Sequence, residues 1–319
     1  MTIDAPRVAR LLPTFVALLI APGPDGHRVS AQDSAPLAAK KEDGRAERLD
    51  EMKQIAGSFQ AAAIDGGSRT PAAMAHDPYY RWNDPTREFS DGTLWFWRSS
   101  GRPIAVLAIE LYPHNNAFGT VWNLEFTSLA TGPIEVEGGE HFDTRYADLY
   151  PPRADGRLRW APVKGGIEFR EIPDAPAPAD TEVERLRQMR DLAKPFSARE
   201  HFHSQDYTLR LIPHPIDRYS DAASGLVDGA IFLYANGTNP EVLLMIEARR
   251  RREGPPYWSY AAAPLARAEV TLRLGRQDVW SHNSKVVPSA EDTYFLARRR
   301  RNQPLSAGSA GIAPGKKRE

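Results

Sequence analysis

The stretch Asp91-Gly92-Thr93-Leu94-Trp95-Phe96-Trp97 recurs, conservatively altered, as Asp228-Gly229-Ala230-Ile231-Phe232-Leu233-Tyr234, 137 residues further on. A pattern written twice at one offset constrains the two halves to fold alike, and self-similarity of this kind decides architecture before any local propensity does. The offset extends outward. Pro78, Arg81 and Asp84 reappear as Pro215, Arg218 and Asp221, and Pro103, Ile109 and Glu110 as Pro240, Ile246 and Glu247. Glu47, Arg48, Leu49, Met52, Ala56 and Phe59 match Glu184, Arg185, Leu186, Met189, Ala193 and Phe196. The register then slips. Trp122 and Trp258 are 136 apart and Trp160 and Trp280 are 120 apart, so the first half holds about 16 extra residues, within Gly138 to Asp155.

Composition narrows the function classes. The chain has 319 residues, 41% of them hydrophobic and 26% charged, as in ordinary globular proteins. A formal net charge of zero offers no field for capturing nucleic acid. Cysteine is absent, which excludes disulfides, thiolate nucleophiles and cysteine-ligated metals. Arg7 and Arg10, the apolar run Leu11 to Ala21 and the small residues Val29-Ser30-Ala31 form a signal-peptide pattern over residues 1–31. No second apolar run of spanning length follows, so the mature chain is expected to have no membrane span and to be secreted or periplasmic.

Residues 32–44 read as a disordered tether. Leu49, Met52, Ala56 and Phe59 then lie on one helical stripe, repeated by Leu186, Met189, Ala193 and Phe196. Thr181 with Glu184 forms a capping box for the second helix, and Pro195 closes it. Gly66 to Pro71 reads as turn, whereas its counterpart, Tyr207 to Ile212, alternates like a strand. Each Asp-Gly reads as a turn or bulge opening a strand that is apolar on both faces and therefore covered on both. The predicted fold is α+β: two tandem copies of a helix plus antiparallel β-sheet module, residues 45–173 and 182–297, about a pseudo-two-fold. A Pro/Ala linker joins them at 174–181, and a basic disordered tail occupies 298–319.

Polar groups present in both halves are structural candidates, since a scaffold needs its clamps twice and a single active site needs its groups once. They are Arg81, Asp84, Asp91 and Glu110 with Arg218, Asp221, Asp228 and Glu247. Arg81 and Arg218 are expected to pair with Glu110 and Glu247 at strand ends, with the aspartates capping turns. The competing reading is paired carboxylates in acid/base work. Groups present once are the binding candidates: His141 and Asp143 in the extra segment, and His201 and His203. Two histidines at i and i+2 share a face of a strand, as a metal site can use, but no third ligand stands at a diagnostic spacing, so no metal and no cofactor is assigned. The tryptophans offer flat faces to sugars, yet sit among aliphatics in predicted strands.

The motif Pro-x-x-Arg-aromatic-x-Asp, then Asp-Gly, then Ile-Glu, at Pro78 to Glu110 and Pro215 to Glu247, resembles predicted secreted proteins of planctomycete-type bacteria. The resemblance covers roughly Arg45 to Ser281. It implies export and a shared duplicated fold, and brings no catalytic or binding residues with it. The expected function is an exported non-catalytic binding or interaction protein of the cell envelope, its partner an envelope protein or polysaccharide. The alternative is an extracytoplasmic hydrolase using the single-copy His, Asp and Glu residues.

Overall fold

The structure is a computed structural model that describes residues 35–84, 90–112, 120–139, 157–283, 289 and 291–301; the side chains of 35–43, 84, 90 and 300 are not among those described. Residues from Gly44 onward form one compact unit. The expected signal peptide, His141 and Asp143 lie outside the described residues.

Helix α1 (Ala35–Gly57) is followed by β1 (Phe59–Asp65), β2 (Ser68–Met74), β3 (Tyr80–Asp84), β4 (Ser90–Ser99), β5 (Arg102–Tyr112), β6 (Val121–Ser128), β7 (Ile134–Gly138), β8 (Leu158–Trp160) and β9 (Arg170–Glu171). Helix α2 (Glu182–Ala193) precedes β10 (Phe196–Phe202), β11 (Gln205–Leu211), β12 (Asp217–Asp221), β13 (Leu226–Asn236), β14 (Asn239–Arg249), β15 (Tyr257–Pro264), β16 (Glu269–Leu274), β17 (Gln277–His282) and β18 (Tyr294–Arg300). All pairings are antiparallel.

The first sheet runs β18-β6-β5-β4-β2-β1-β7-β8 with β3 also on β4; the second runs β17-β16-β10-β11-β13-β14-β15-β9 with β12 also on β13. Read from the opposite end, the second order is the first with each strand replaced by its counterpart. The outermost strands are exchanged. β9, which follows the first sheet in the chain, completes the second, and β18, which follows the second, completes the first.

Each sheet curls round its own apolar core. Phe126 on β6 packs 5.7 Å from Trp160 on β8, although these strands lie towards opposite ends of the sheet. Trp160 Nε1 donates to the Asp292 carbonyl just before β18, 2.7 Å away. In the second sheet Arg170 Nη1 on β9 likewise reaches the Val279 carbonyl on β17 at 2.9 Å. Met52, Ile55 and Ala56 of α1 cover the first core, Met189 and Ala193 of α2 the second. A third core lies between the sheets: Leu94, Phe96, Val106 and Ala108 meet Ile231, Leu233, Leu243 and Met245. The odd side chains of β4, Trp95 and Trp97, enter the first sheet's own core while the even ones enter the shared core. This alternation is why these strands are apolar on both faces.

The fold is therefore mostly β, two curled antiparallel sheets, and the α+β expectation is corrected. Among the described residues eighteen strands accompany only two α-helices. The helical stripe misled because its last member in each half, Phe59 or Phe196, is the first residue of a strand. Ser68–Met74 is a strand too, despite Pro71, which sits opposite Ala62. Arg298 to Arg300, read as the start of a solvated tail, belong to β18, and Arg301 makes a two-pronged ion pair with Glu51 of α1 (2.8 and 3.1 Å). The capping box is present, with the Thr181 side chain accepting from Glu184 N–H. The Pro/Ala segment is pinned to α2, its Ala179 N–H donating to Gln188 Oε1 at 2.8 Å.

Candidate functional site

The shared polar residues do not pair as their spacing implied. Arg81 binds Asp91 through Nε and Nη2 (2.9 and 2.8 Å), and Arg48 Nε of α1 binds the same carboxylate at 2.8 Å. Arg218 binds Asp228 through the same two atoms (2.9 and 2.5 Å), joined by Arg185 Nε of α2 at 2.9 Å. Arg81 and Arg218 each also donate to a helix carbonyl, of Arg45 within α1 or of Glu182 at the start of α2. These buried aspartates lie on strands and tie helix to sheet, so the expected Arg–Glu clamp and the turn-capping role for Asp91 and Asp228 are corrected. Burial pushes the Asp91 carboxyl up, but the hydrogen bonds and charges of Arg81 and Arg48 outweigh it and hold the group below its usual range. Asp221 does cap a turn, accepting from Ser224 N–H. The Asp84 side chain lies outside those described.

The turn expected at each Asp-Gly is corrected, although the β13–β14 ladder does shift register between Leu226 and Asp228, beside the second one. Neither Gly92 nor Gly229 has a positive φ. Each lies inside a strand with an aromatic ring packed flat on it: a Cβ at Gly92 would come within 2.3 Å of the Trp82 ring, and one at Gly229 within 2.8 Å of Tyr219. Opposite these glycines in the ladder stand Glu110 and Glu247.

Around those two glutamates the halves part company. Glu247 is fully buried and closed in. Arg102 Nη2 crosses from the first sheet to its Oε1 at 2.7 Å, and the Tyr219 hydroxyl donates to the same oxygen at 2.8 Å. Phe169 lies beneath Arg102 and Arg249, 4.8 and 5.4 Å from their guanidinium carbons. Burial raises the Glu247 carboxyl, partly offset by Arg102, the Tyr219 hydrogen bond and Arg249.

The corresponding place beside Glu110 is an open cleft of about 100 Å³. Asn239 stands where the other side has Arg102, and Trp82 where it has Tyr219. Three further glutamates line the cleft: Glu125 of β6, Glu200 of β10 and Glu241 of β14. At the matching positions the other half has Ala261, Ala63 and Ile104. Glu110, Glu200 and Glu241 are buried, Glu125 half-buried, and Arg267 is the one cation among the described lining residues. Glu200 Oε2 accepts from Asn236 Nδ2 (2.9 Å) and Glu241 Oε1 from Asn239 Nδ2 (2.8 Å), both neutral donors. Phe202, 42% exposed, stands at the rim.

His201 and His203 do not join this cleft. His201 lies between Glu200 and Phe202 in the strand and so takes the opposite face, where Nδ1 meets Asp206 Oδ1 at 2.8 Å. His203 is in the following turn with φ 49°, off the strand that would have aligned the two rings. Among the described residues no group of three His, Asp or Glu is placed to hold a metal ion, and no helix is long and apolar enough to cross a membrane. Trp95, Trp97, Trp122 and Trp258 are core residues with no face to offer a ligand.

The class defined by this geometry is a two-sheet antiparallel β protein with one closed and one open acidic cleft. No protein-family model, no curated protein and no solved structure matches the chain.

Proposed function

We propose that the protein is an exported, non-catalytic binding protein, built from two copies of one module, that takes a positively charged ligand in the cleft beside Glu110. The observation that carries this reading is the asymmetry between corresponding clefts. One is closed by an arginine from the opposite sheet, and the other replaces that arginine with Asn239 and adds three glutamates. Four glutamates in the lining of one cleft, where Arg267 is the one cation among the described lining residues, favour a cation as occupant. The separation of His201 and His203 from these acids favours binding over hydrolysis. Export rests on the pattern of residues 1–31.

The test is Asn239→Arg, which copies the closing contact of the other side. Ammonium and putrescine at millimolar concentration are expected to raise the melting temperature of the wild type and to leave Asn239→Arg unmoved. No stabilisation of the wild type by either cation sinks the reading, as does undiminished cation binding by Asn239→Arg.

A further inference from the structure

We infer that the turn between β14 and β15 docks an acidic polysaccharide through Arg250 and Arg252. β14 ends at Arg249 and β15 begins at Tyr257, and the chain between them opens Arg250-Arg251-Arg252-Glu253. The run of four arginines divides in two. Arg249 and Arg251 serve the fold. Arg249 lies 3.8 Å from Glu247 and over the Phe169 ring, and Arg251 binds Glu171 of β9 at 2.6 Å with its guanidinium 4.1 Å from the Tyr257 ring centre. Arg250 and Arg252 are exposed, and among the described residues neither side chain has a hydrogen bond, ion pair or ring contact. Glu253 beside them is exposed and pairs with neither. The backbone that carries the pair is tied down. Arg250 N–H donates to the Gly225 carbonyl at 2.9 Å, and Arg251, between the two, is anchored as above. The duplication separates the pair from the scaffold. The first half makes the same connection from β5 to β6, and its stretch Tyr112-Pro113-His114-Asn115-Asn116 holds no arginine or lysine.

Chemistry selects the partner. A guanidinium meets a carboxylate or sulfate edge-on with two parallel N–H donors. One such pair in water is weak, so a lone small anion is not held. A polymer with an anion on every sugar engages both arginines at once and presents the next anion when one leaves. The turn lacks what other polyanions use. Tyr257, the aromatic residue next to it, already has Arg251 on its ring, which leaves that face closed to a stacking nucleic-acid base. Its apolar side chains from Arg250 to Pro256 are Pro255 and Pro256, with nothing long enough to enter a bilayer. β14 is paired on both edges, by β13 and β15, so an acidic peptide finds no edge of that strand to extend.

The experiment is titration of the full chain, at low salt, with polygalacturonate and dextran sulfate, a carboxylated and a sulfated polysaccharide. Poly-glutamate, oligothymidylate and phosphatidylglycerol vesicles are the competing polyanions. The wild type is expected to bind at least one of the two polysaccharides more tightly than any competitor. Arg250→Gln combined with Arg252→Gln is expected to weaken that binding about ten-fold, the worth of two exposed ion pairs, and to leave the melting temperature unmoved. The control, Arg199→Gln combined with Arg276→Gln, removes the same charge from two exposed arginines elsewhere and is expected to stay within about two-fold of the wild type. Equal weakening by the two pairs overturns the inference, since net charge then accounts for it, as does undiminished binding by the first pair. A wild type that binds neither polysaccharide, or binds a competitor more tightly, also overturns it. None of these results bears on the cation cleft, whose lining includes neither Arg250 nor Arg252.

Discussion

Two glutamates at equivalent ladder positions, Glu110 and Glu247, have been given opposite surroundings. The β4–β5 hairpin of the first sheet drives Arg102 onto Glu247 and Arg98 onto Asp217, both in the second sheet. The β13–β14 hairpin reaches back by the same route, Thr238 donating to the Asn83 carbonyl at 2.5 Å. Gly101, its counterpart, packs so near the Ser220 carbonyl that a Cβ would sit 2.6 Å from it. The hairpins are thus used alike, but only the β4–β5 hairpin sends arginines, Arg98 and Arg102, across to carboxylates of the other sheet. What differs is the side chain, not the scaffold. The closed side adds inter-sheet cohesion through Arg102; the open side gathers four glutamates in its lining instead.

The comparison is broken most forcefully at Arg102. Arg102→Ala strips buried Glu247 of its hydrogen-bonded cation, leaving only Arg249 at 3.8 Å, and should cost about 3 kcal/mol in urea denaturation, the lower end for a broken buried pair. Asn239→Ala should cost nearer ~1 kcal/mol, the loss of one neutral hydrogen bond. The Arg102→Ala deficit should also depend on pH, with a definite sign. A carboxyl whose folded pKa is raised, as burial raises Glu247, favours the folded state below its unfolded pKa and loses that contribution as pH rises through the folded value. Without Arg102 the rise is larger, so the deficit should shrink as pH is lowered from 7 towards 5. An equal loss for both variants at pH 7 would mean that the clefts do not differ energetically.

Much of this architecture was legible in the chain, and the errors have identifiable physical causes. The two-faced strands, the covering of both their faces and the capped second helix follow from side-chain period and capping chemistry, which are local. Arg81's choice of Asp91 over Glu110 does not, because it depends on which way residues alternate across a ladder whose partner strand is unknown beforehand. Asp-Gly looked like a turn because glycine is usually read for its backbone freedom. Here its missing Cβ makes room for Trp82 or Tyr219, a contact only the fold creates. The open cleft was readable in part. Aligning the halves sets Glu241 against Ile104 and Glu200 against Ala63, a charge where the other half is apolar. The histidines and the extra segment are the more conspicuous differences between the halves. Nothing in the sequence alone brings Glu125 across to join them.

The aromatic–glycine contacts offer a second separation. Gly92→Ala forces a methyl into the rigid Trp82 indole, with 2.3 Å available, whereas Gly229→Ala meets the Tyr219 ring at 2.8 Å. Both are overpacking changes of about 1–3 kcal/mol, and Gly92→Ala should lie at the upper end. Displacing Trp82 would also disturb the open cleft, so Gly92→Ala should lose cation binding while Gly229→Ala retains it. Thermal melts with and without ethylamine measure both effects together.

The finest distinction lies in the helix clamps. Arg48 and Arg185 make the same single bond to Asp91 and Asp228, but the Arg48 side chain is 26% exposed and that of Arg185 only 9%. Arg185 Nη1 donates in addition to the carbonyls of Ala179 and Asp180, securing the segment before α2. Arg48→Ala should therefore cost about 1 kcal/mol, because solvent can take over much of what it supplies. Arg185→Ala should cost about 2 kcal/mol, since two carbonyls and a buried carboxylate lose a donor together. Neither substitution strips the aspartate of its other arginine: Arg81 or Arg218 keeps its two-pronged hold. Equal losses from the two substitutions would show that exposure at α1 gives no relief, and that the clamps are energetically as alike as their bond lengths.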